Sequence, residues 1–170
     1  MSYLFSLLKH PLTLCLFSFS IACNAPTPPE DPNIQRPRTA KELDVALNMT
    51  QPSYTLGMPV TLRFVLHNNQ ADSIRFCYLN SPAHEMVWSN YFSVLDEAGQ
   101  PVPYIGKRPL YRGPVGPEYY MTLAPDEMKI YTVDLLPLYQ MEKPGQYSVL
   151  FIGDKINLLP NSTPARFVLK

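Results

Sequence analysis

The segment from residue 60 to residue 67 alternates between apolar and polar side chains. Every second residue is apolar: Val60, Leu62, Phe64 and Leu66. The residues between them include Thr61, Arg63 and His67. Successive side chains of a β-strand point to opposite faces, so this period of two predicts a strand with one buried face.

Shorter runs of the same kind recur along the rest of the chain. The predicted strands are 43–49, 60–67, 74–79, 91–96, 102–105, 119–123, 129–135, 145–152 and 165–169. Clusters of turn-forming residues separate them, as at Asn68–Asp72 and Glu97–Gln100, and Gly106–Glu118 is predicted to be a long irregular loop. The 19 prolines argue against long helices, because proline lacks a backbone donor and clashes inside a helix. Many short strands with frequent turns indicate two packed sheets.

One short motif makes the predicted class more specific. In Pro144-Gly145-Gln146-Tyr147 a tyrosine follows a glycine by two residues at the start of a predicted strand. This arrangement resembles the tyrosine corner of immunoglobulin-like folds, in which the tyrosine hydroxyl bonds to the backbone of the preceding loop. The alternative is a core tyrosine without that bond. The predicted fold is therefore all-β, an immunoglobulin-like β-sandwich of about seven to nine strands.

The N-terminus follows a different pattern. An apolar stretch within residues 1–22, preceded by Lys9, is too short to span a bilayer but has the length of a signal-peptide core. It closes on Ser20-Ile21-Ala22-Cys23, which resembles the lipobox of bacterial lipoproteins, although a leucine is usual where Ser20 stands. The resemblance implies that Cys23 is lipidated and becomes the first residue, which would attach the chain to a membrane. The alternative is ordinary secretion with Cys23 as a free thiol.

Residues 23–40 are rich in proline and poor in apolar side chains, so they are predicted to be an extended tether between the anchor and a domain at 41–170. Asn24 stands where an aspartate would signal retention at the inner membrane of bacteria. By analogy, the sequence favours the outer membrane of the cell envelope.

The remaining cysteine, Cys77, lies in the strand-like run Ile74–Leu79. With Cys15 in the signal peptide and Cys23 lipidated, it has no partner for an internal disulfide. It is predicted to be a small buried hydrophobic residue, and the alternative is a reactive thiol.

Charge argues against a nucleic-acid partner. The chain carries 14 basic and 14 acidic residues, and no basic cluster is longer than Lys107-Arg108. A surface that binds phosphates needs clustered positive charge.

Several motifs occur in the order found in a known module. They include Tyr54-Thr55-Leu56-Gly57-Met58-Pro59-Val60, then Gly99-Gln100-Pro101-Val102-Pro103-Tyr104-Ile105-Gly106, then Tyr119-Tyr120-Met121-Thr122-Leu123-Ala124-Pro125, and finally Lys143-Pro144-Gly145-Gln146-Tyr147. Over about 100 residues this order resembles the N-terminal β-domain, or pro-region, of deuterolysin-like zinc metallopeptidases. The ending is also similar to that of bacillary intracellular proteinase inhibitors.

The peptidases of that family carry H-E-x-x-H on a helix after this domain, because histidines at i and i+4 can hold one zinc ion. Here His84-Glu85 is followed by Trp88 where the second histidine would stand. No G-x-S-x-G motif is present, and the carboxylates are scattered in turns. The sequence therefore predicts no enzyme, no catalytic residue, no metal and no cofactor.

Two functions remain open. The resemblance implies a protease-binding or inhibitor-like module that contacts a metallopeptidase, and the alternative is a structural or assembly lipoprotein that binds an envelope protein or a carbohydrate. For the first, the predicted contact surface is the loop Tyr104–Tyr120, which contains Ile105, Lys107, Arg108, Tyr111 and Arg112. The alternative is that the aromatic residues of this loop only cover the end of the sandwich. Tyrosine and arginine are the residue types enriched at interface hot spots.

Overall fold

The computed structural model describes residues 39–84, 89–107 and 114–170. Within these residues, the regular elements are two short 3-10 helices, Ala40–Glu42 and Pro117–Tyr119, and nine strands. The strands are β1 (Asp44–Met49), β2 (Ser53–Tyr54), β3 (Thr61–His67), β4 (Ile74–Cys77), β5 (Phe92–Leu95), β6 (Tyr120–Leu123), β7 (Met128–Asp134), β8 (Gly145–Phe151) and β9 (Ala165–Leu169). The predicted signal peptide, Cys23 and most of the predicted tether lie outside the described residues.

The nine described strands form three sheets. One has the order β1-β3-β7, the second β2-β9-β8-β5, and the third is the antiparallel pair β4-β6. All pairs are antiparallel except β2 with β9, which run parallel. The chain therefore leaves the first sheet after β1 and enters the second through the two residues of β2.

One hydrophobic core joins the two larger sheets. Phe64 on β3 and Phe151 on β8 are both buried, and their ring centroids lie 4.8 Å apart. Leu62 and Leu66 point the same way from β3, as the period of two predicts, and both are fully buried. The prediction of an all-β fold with two packed sheets is confirmed.

Eight of the nine strand predictions agree with the structure to within two residues, one does not, and one observed strand has no prediction. The prediction of a strand at 102–105 is wrong, because Val102 and Tyr104 lie in irregular backbone with only an isolated bridge between Tyr104 and Tyr139. The parallel strand β2 was not predicted. Its two residues are too few to show a period, and its partner β9 lies more than a hundred residues further along the chain.

The tyrosine corner is confirmed. The Tyr147 hydroxyl donates a hydrogen bond to the Lys143 carbonyl oxygen at 2.7 Å. Its ring stacks on Phe167 of β9, with centroids 5.5 Å apart. The bond holds the loop that precedes β8 against the end of the sheet.

Cys77 is buried, as predicted, with 1% of its surface exposed. Burial raises the pKa of its thiol, which keeps the reactive thiolate scarce at neutral pH. Within the described part of the chain, no helix is long and apolar enough to cross a membrane.

Candidate functional site

The predicted contact loop begins on a fixed segment of backbone. The Ile105 amide donates to the Leu138 carbonyl oxygen at 2.8 Å, and the Gln140 amide donates to the Pro103 carbonyl oxygen at 2.9 Å. These bonds tie residues 103–106 to residues 138–140, the segment between β7 and β8. The loop therefore starts from a defined position although it contains no strand.

Tyr104 anchors this segment through its side chain. Its ring packs edge-on against Tyr139, with centroids 5.3 Å apart, and its hydroxyl donates to the Lys107 carbonyl oxygen at 2.8 Å. The side chain is half-buried against the core. Tyr104 therefore shapes the turn that leads from Ile105 to Lys107.

Tyr139 in turn is held by hydrogen bonds of its buried hydroxyl. Its hydroxyl lies 2.6 Å from Asn90 Oδ1 and 2.8 Å from the Phe92 carbonyl oxygen, and 2% of the residue is exposed. Burial is the main reason why the pKa of this hydroxyl is raised. No local pattern predicts the pairing of Tyr104 with Tyr139, because 35 residues separate them and the pairing depends on the tertiary fold.

The side chains beyond this anchor point to solvent. Ile105 is 58% exposed and Lys107 is exposed as well. The structure therefore brings Tyr104, Ile105 and Lys107 together on one turn. The other predicted contact residues, Arg108, Tyr111 and Arg112, lie outside the described residues.

Tyr91 lies next to the same anchor and differs from Tyr139. Its ring packs against Phe92 and Phe151, with centroids 4.9 Å and 6.2 Å away. Its hydroxyl is buried and has no hydrogen-bond partner among the described residues. Burial, followed by the nearby hydroxyls of Tyr104 and Tyr139, raises its pKa.

A second group of aromatic residues lies around β4 and β6 and is not predicted from the sequence. The half-buried Tyr78 ring lies 5.5 Å from the His84 ring and 6.0 Å from the Tyr119 ring, measured between centroids. Beside them, the Arg75 guanidinium stands 4.4 Å over the Tyr120 ring. We call these five residues the aromatic cluster. Its members come from β4, the loop after β4, the 3-10 helix Pro117–Tyr119 and β6, so no local pattern could have grouped them.

A shallow cavity of about 430 Å³ opens at β2. It is lined mainly by polar side chains, among them Gln51, Ser53, Thr55, Thr61 and Lys170. The Tyr54 hydroxyl in its wall already donates to the Thr61 carbonyl oxygen at 2.6 Å and accepts from the Gln51 amide at 3.0 Å. The cavity is thus polar, but the Tyr54 hydroxyl in it already makes its hydrogen bonds within the chain.

Within residues 39–84, 89–107 and 114–170, no three side chains of histidine, cysteine, aspartate or glutamate come together in a group that could hold a metal ion. The His84 ring packs against Tyr78 at a tilt, and His67 Nδ1 lies 3.9 Å from Asp44 Oδ2 at the end of β3.

Comparisons with known proteins do not assign a family to the chain. No family model matches the sequence, and no curated protein matches it. Among solved structures, a mutant β-glucosidase from Listeria innocua in complex with laminaribiose is similar with a TM-score of 0.37 and 11% identity. The alignment covers 75% of this chain and 16% of the glucosidase chain. A likeness of this size assigns neither a fold family nor an activity to the chain.

Proposed function

We propose that this protein is a non-catalytic binding lipoprotein of the bacterial envelope, anchored through a lipid on Cys23. Its domain binds a protein partner through the turn at Ile105 and Lys107. The partner class that the sequence resemblance suggests is a secreted metallopeptidase, which the domain would inhibit or chaperone. The anchor would hold the domain at the membrane, with the outer membrane as the favoured site.

The proposal includes an immunoglobulin-like topology, and two features support it. The tyrosine corner opens β8, where such folds carry it. The chain also passes from one sheet to the other through β2, which pairs with β9 at the far end of the chain. Loops at the ends of such sandwiches are frequent binding sites, because a rigid scaffold positions them.

The observation that carries the proposed site is the combination of a fixed turn with exposed side chains. Backbone bonds and the Tyr104–Tyr139 contact hold the turn, so little conformational entropy remains to be lost when a partner binds. Ile105 is apolar and 58% exposed, and Lys107 adds a positive charge beside it. An apolar side chain with a charged neighbour on a fixed turn suits a protein interface.

The test is a binding assay with secreted metallopeptidases from the same cells, read as co-purification and as inhibition of casein cleavage. Ile105→Asp should weaken binding by about tenfold or more, because it places a charge in the centre of the contact. Met128→Asp is the matched control, since Met128 is 54% exposed and pairs with His67 at the end of β7 opposite to the Leu138 segment.

Equal loss in both variants, or no binding of the wild-type chain to any peptidase, would refute the proposed site. Unchanged binding by Ile105→Asp would refute it as well.

The anchor is tested separately by partition between detergent and water. The wild-type chain should enter the detergent phase after processing, and Cys23→Ala should remain in the aqueous phase because it lacks the lipid. A wild-type chain found in the aqueous phase would contradict lipidation. This result does not depend on which partner the domain binds.

The aromatic cluster favours a second candidate function, a structural or assembly lipoprotein that binds an envelope carbohydrate. Aromatic rings such as those of the cluster can pack against the apolar faces of sugars, and the Arg75 guanidinium can donate hydrogen bonds to sugar hydroxyls. Loss of binding to isolated envelope polysaccharide in Tyr120→Ala, with binding kept in Ile105→Asp, would favour this function over the first. Tyr120 suits the test because it is 38% exposed.

A further inference from the structure

The outer edge of β7 has hydrogen-bonding groups that no described strand pairs. β7 is the last strand of the sheet β1-β3-β7. The Asn68 amide donates to the Glu127 carbonyl oxygen at 3.0 Å, and the Leu135 amide donates to the Val60 carbonyl oxygen at 2.9 Å. These two bonds flank the β3–β7 ladder at either end and fix which residues face β3.

In an antiparallel ladder, hydrogen-bonded pairs alternate with non-bonded pairs. With the bonds at Glu127 and Leu135, the residues of β7 that bond to β3 are Lys129, Tyr131 and Val133. The residues between them direct their N–H and C=O groups away from β3: Met128, Ile130, Thr132 and Asp134. The edge therefore carries four regularly spaced donor and acceptor pairs.

The side chains of these four residues lie on the face of the sheet away from the core. Met128 and Ile130 are each 54% exposed, and the sheet register places Ile130 beside Val65 and Ala46. This gives an apolar row across the three strands that ends at the edge with Ile130. A strand added at this edge would cover Ile130 and extend the sheet.

We propose that the strand added at this edge is β7 of a second copy of the chain, in an antiparallel pair with a two-fold axis at Tyr131. In the register of full overlap, Met128 faces Asp134 of the second copy and Ile130 faces Thr132. The backbone N–H and C=O groups that point away from β3 in one copy then face the same groups of the other copy. Four residue pairs with two bonds each give about eight new backbone hydrogen bonds. The same surface serves both copies, as a closed two-fold dimer requires.

The charged side chains of β7 are compatible with pairing to a second β7 strand. The strand contains one basic residue, Lys129, and one acidic residue, Asp134. In the proposed register Lys129 faces Val133 of the second copy, so no like charges stand opposite each other. The Lys129 ammonium is also held 3.6 Å from the Glu127 carboxylate of its own chain. With a net charge of zero, the whole chain does not oppose self-association.

Amide hydrogen exchange of the full chain, measured across a wide range of protein concentrations, tests this pair directly. The amides of Lys129, Tyr131 and Val133 should be protected at every concentration, because they bond to β3. The amides of Met128, Ile130 and Thr132 should exchange fast in dilute protein and at least about tenfold more slowly in concentrated protein. Sedimentation should show a monomer becoming a dimer over the same range.

Two variants complete the test. Ile130→Pro removes an N–H group that β3 does not use, and proline is tolerated at such edge positions, so the variant should fold and sediment as a monomer. If Ile130→Pro fails to fold, Ile130→Lys keeps the backbone donor and places two like charges near the axis. It too should be monomeric, whereas Met58→Lys, at an equally exposed site off the edge, should dimerise like the wild type.

Three results would overturn the proposal: a monomer at all concentrations, a dimer whose Met128, Ile130 and Thr132 amides remain unprotected, or a dimer that Ile130→Lys leaves intact. A monomer whose edge amides become protected only when envelope extract is added would show that a strand of another protein occupies the edge instead.

Discussion

The hydroxyls of the buried residues Tyr91 and Tyr139 differ in their hydrogen bonding and therefore in their contribution to stability. Both are buried near the same turn, but Tyr139 has partners at Asn90 and Phe92 and Tyr91 has none among the described residues. A buried hydroxyl without a partner costs its desolvation energy, whereas one that is bonded recovers it.

Replacing each tyrosine by phenylalanine should therefore move stability in opposite directions. Tyr139→Phe should lower the free energy of unfolding by about 1–3 kcal/mol, because it leaves polar groups of Asn90 and Phe92 unpaired. Tyr91→Phe should leave it unchanged or raise it by up to about 1 kcal/mol. Urea denaturation of the two variants and the wild type measures both effects. A large loss in Tyr91→Phe would contradict the absence of a partner.

At the residue scale, local chemistry was predictable and long-range partners were not. The bond of Tyr147 to Lys143 spans four residues, and the motif around Gly145 predicts it. The contact of Tyr104 with Tyr139 is not encoded in any local spacing. It arises because two irregular segments meet over the end of β5, and this needs the whole fold.

At the scale of elements, one side chain holds two turns together. Asn68 is fully buried after β3, and its Nδ2 donates to the carbonyl oxygens of Asp72, Leu123 and Ala124 at 2.8–3.1 Å. The turn after β3 is thereby fixed to the turn between β6 and β7. The Asn and Asp content of residues 68–72 predicts the first of these turns, but no local pattern predicts its link to the second.

Asn68→Asp should be strongly destabilising, because it replaces a donor by a buried carboxylate that faces three carbonyl oxygens. The expected loss is about 3 kcal/mol or more in the free energy of unfolding, measured by urea denaturation. Asn48→Asp makes the same chemical change at an exposed position of β1 and should cost less than about 0.5 kcal/mol. Similar losses in the two variants would show that the Asn68 bonds do not stabilise the turns.

Strand prediction succeeded wherever one face is buried and the run is long enough to show its period. β3 and β8 have seven residues each and were located to within one residue. The segment 102–105 failed for a physical reason. Val102 and Tyr104 do alternate with polar or turn residues, but Pro101 and Pro103 lack the N–H groups that a ladder needs.

At the scale of the whole molecule, the buried tyrosines and the buried thiol make the free energy of unfolding depend on pH in the alkaline range. Burial raises the pKa of Cys77, Tyr91, Tyr131, Tyr139 and Tyr147 above the ordinary values of 9.0 for cysteine and 10.0 for tyrosine. As pH rises past those ordinary values, the unfolded chain loses protons that the folded chain keeps. The free energy of unfolding must then fall.

The stability of the domain should therefore be insensitive to these groups below about pH 9 and decrease above it, by roughly 1 kcal/mol per pH unit for each strongly buried hydroxyl above about pH 10. Urea denaturation at several alkaline pH values measures the slope, and near-ultraviolet absorbance reports tyrosinate formation. Tyr91→Phe should reduce the slope. A stability that rises through this range would contradict the direction of the pKa shifts.

Because Cys77 is buried, the reactivity of its thiol can report local opening of the domain. The thiol lies at the end of β4 opposite Tyr120 of β6, with 1% of its surface exposed, so a thiol reagent reaches it only when these strands separate. The labelling rate of the peptide that contains Cys77 then measures the population of that open form, without any introduced probe. A partner that covers this end of the sheets would slow the labelling, even if it never touches the sulfur.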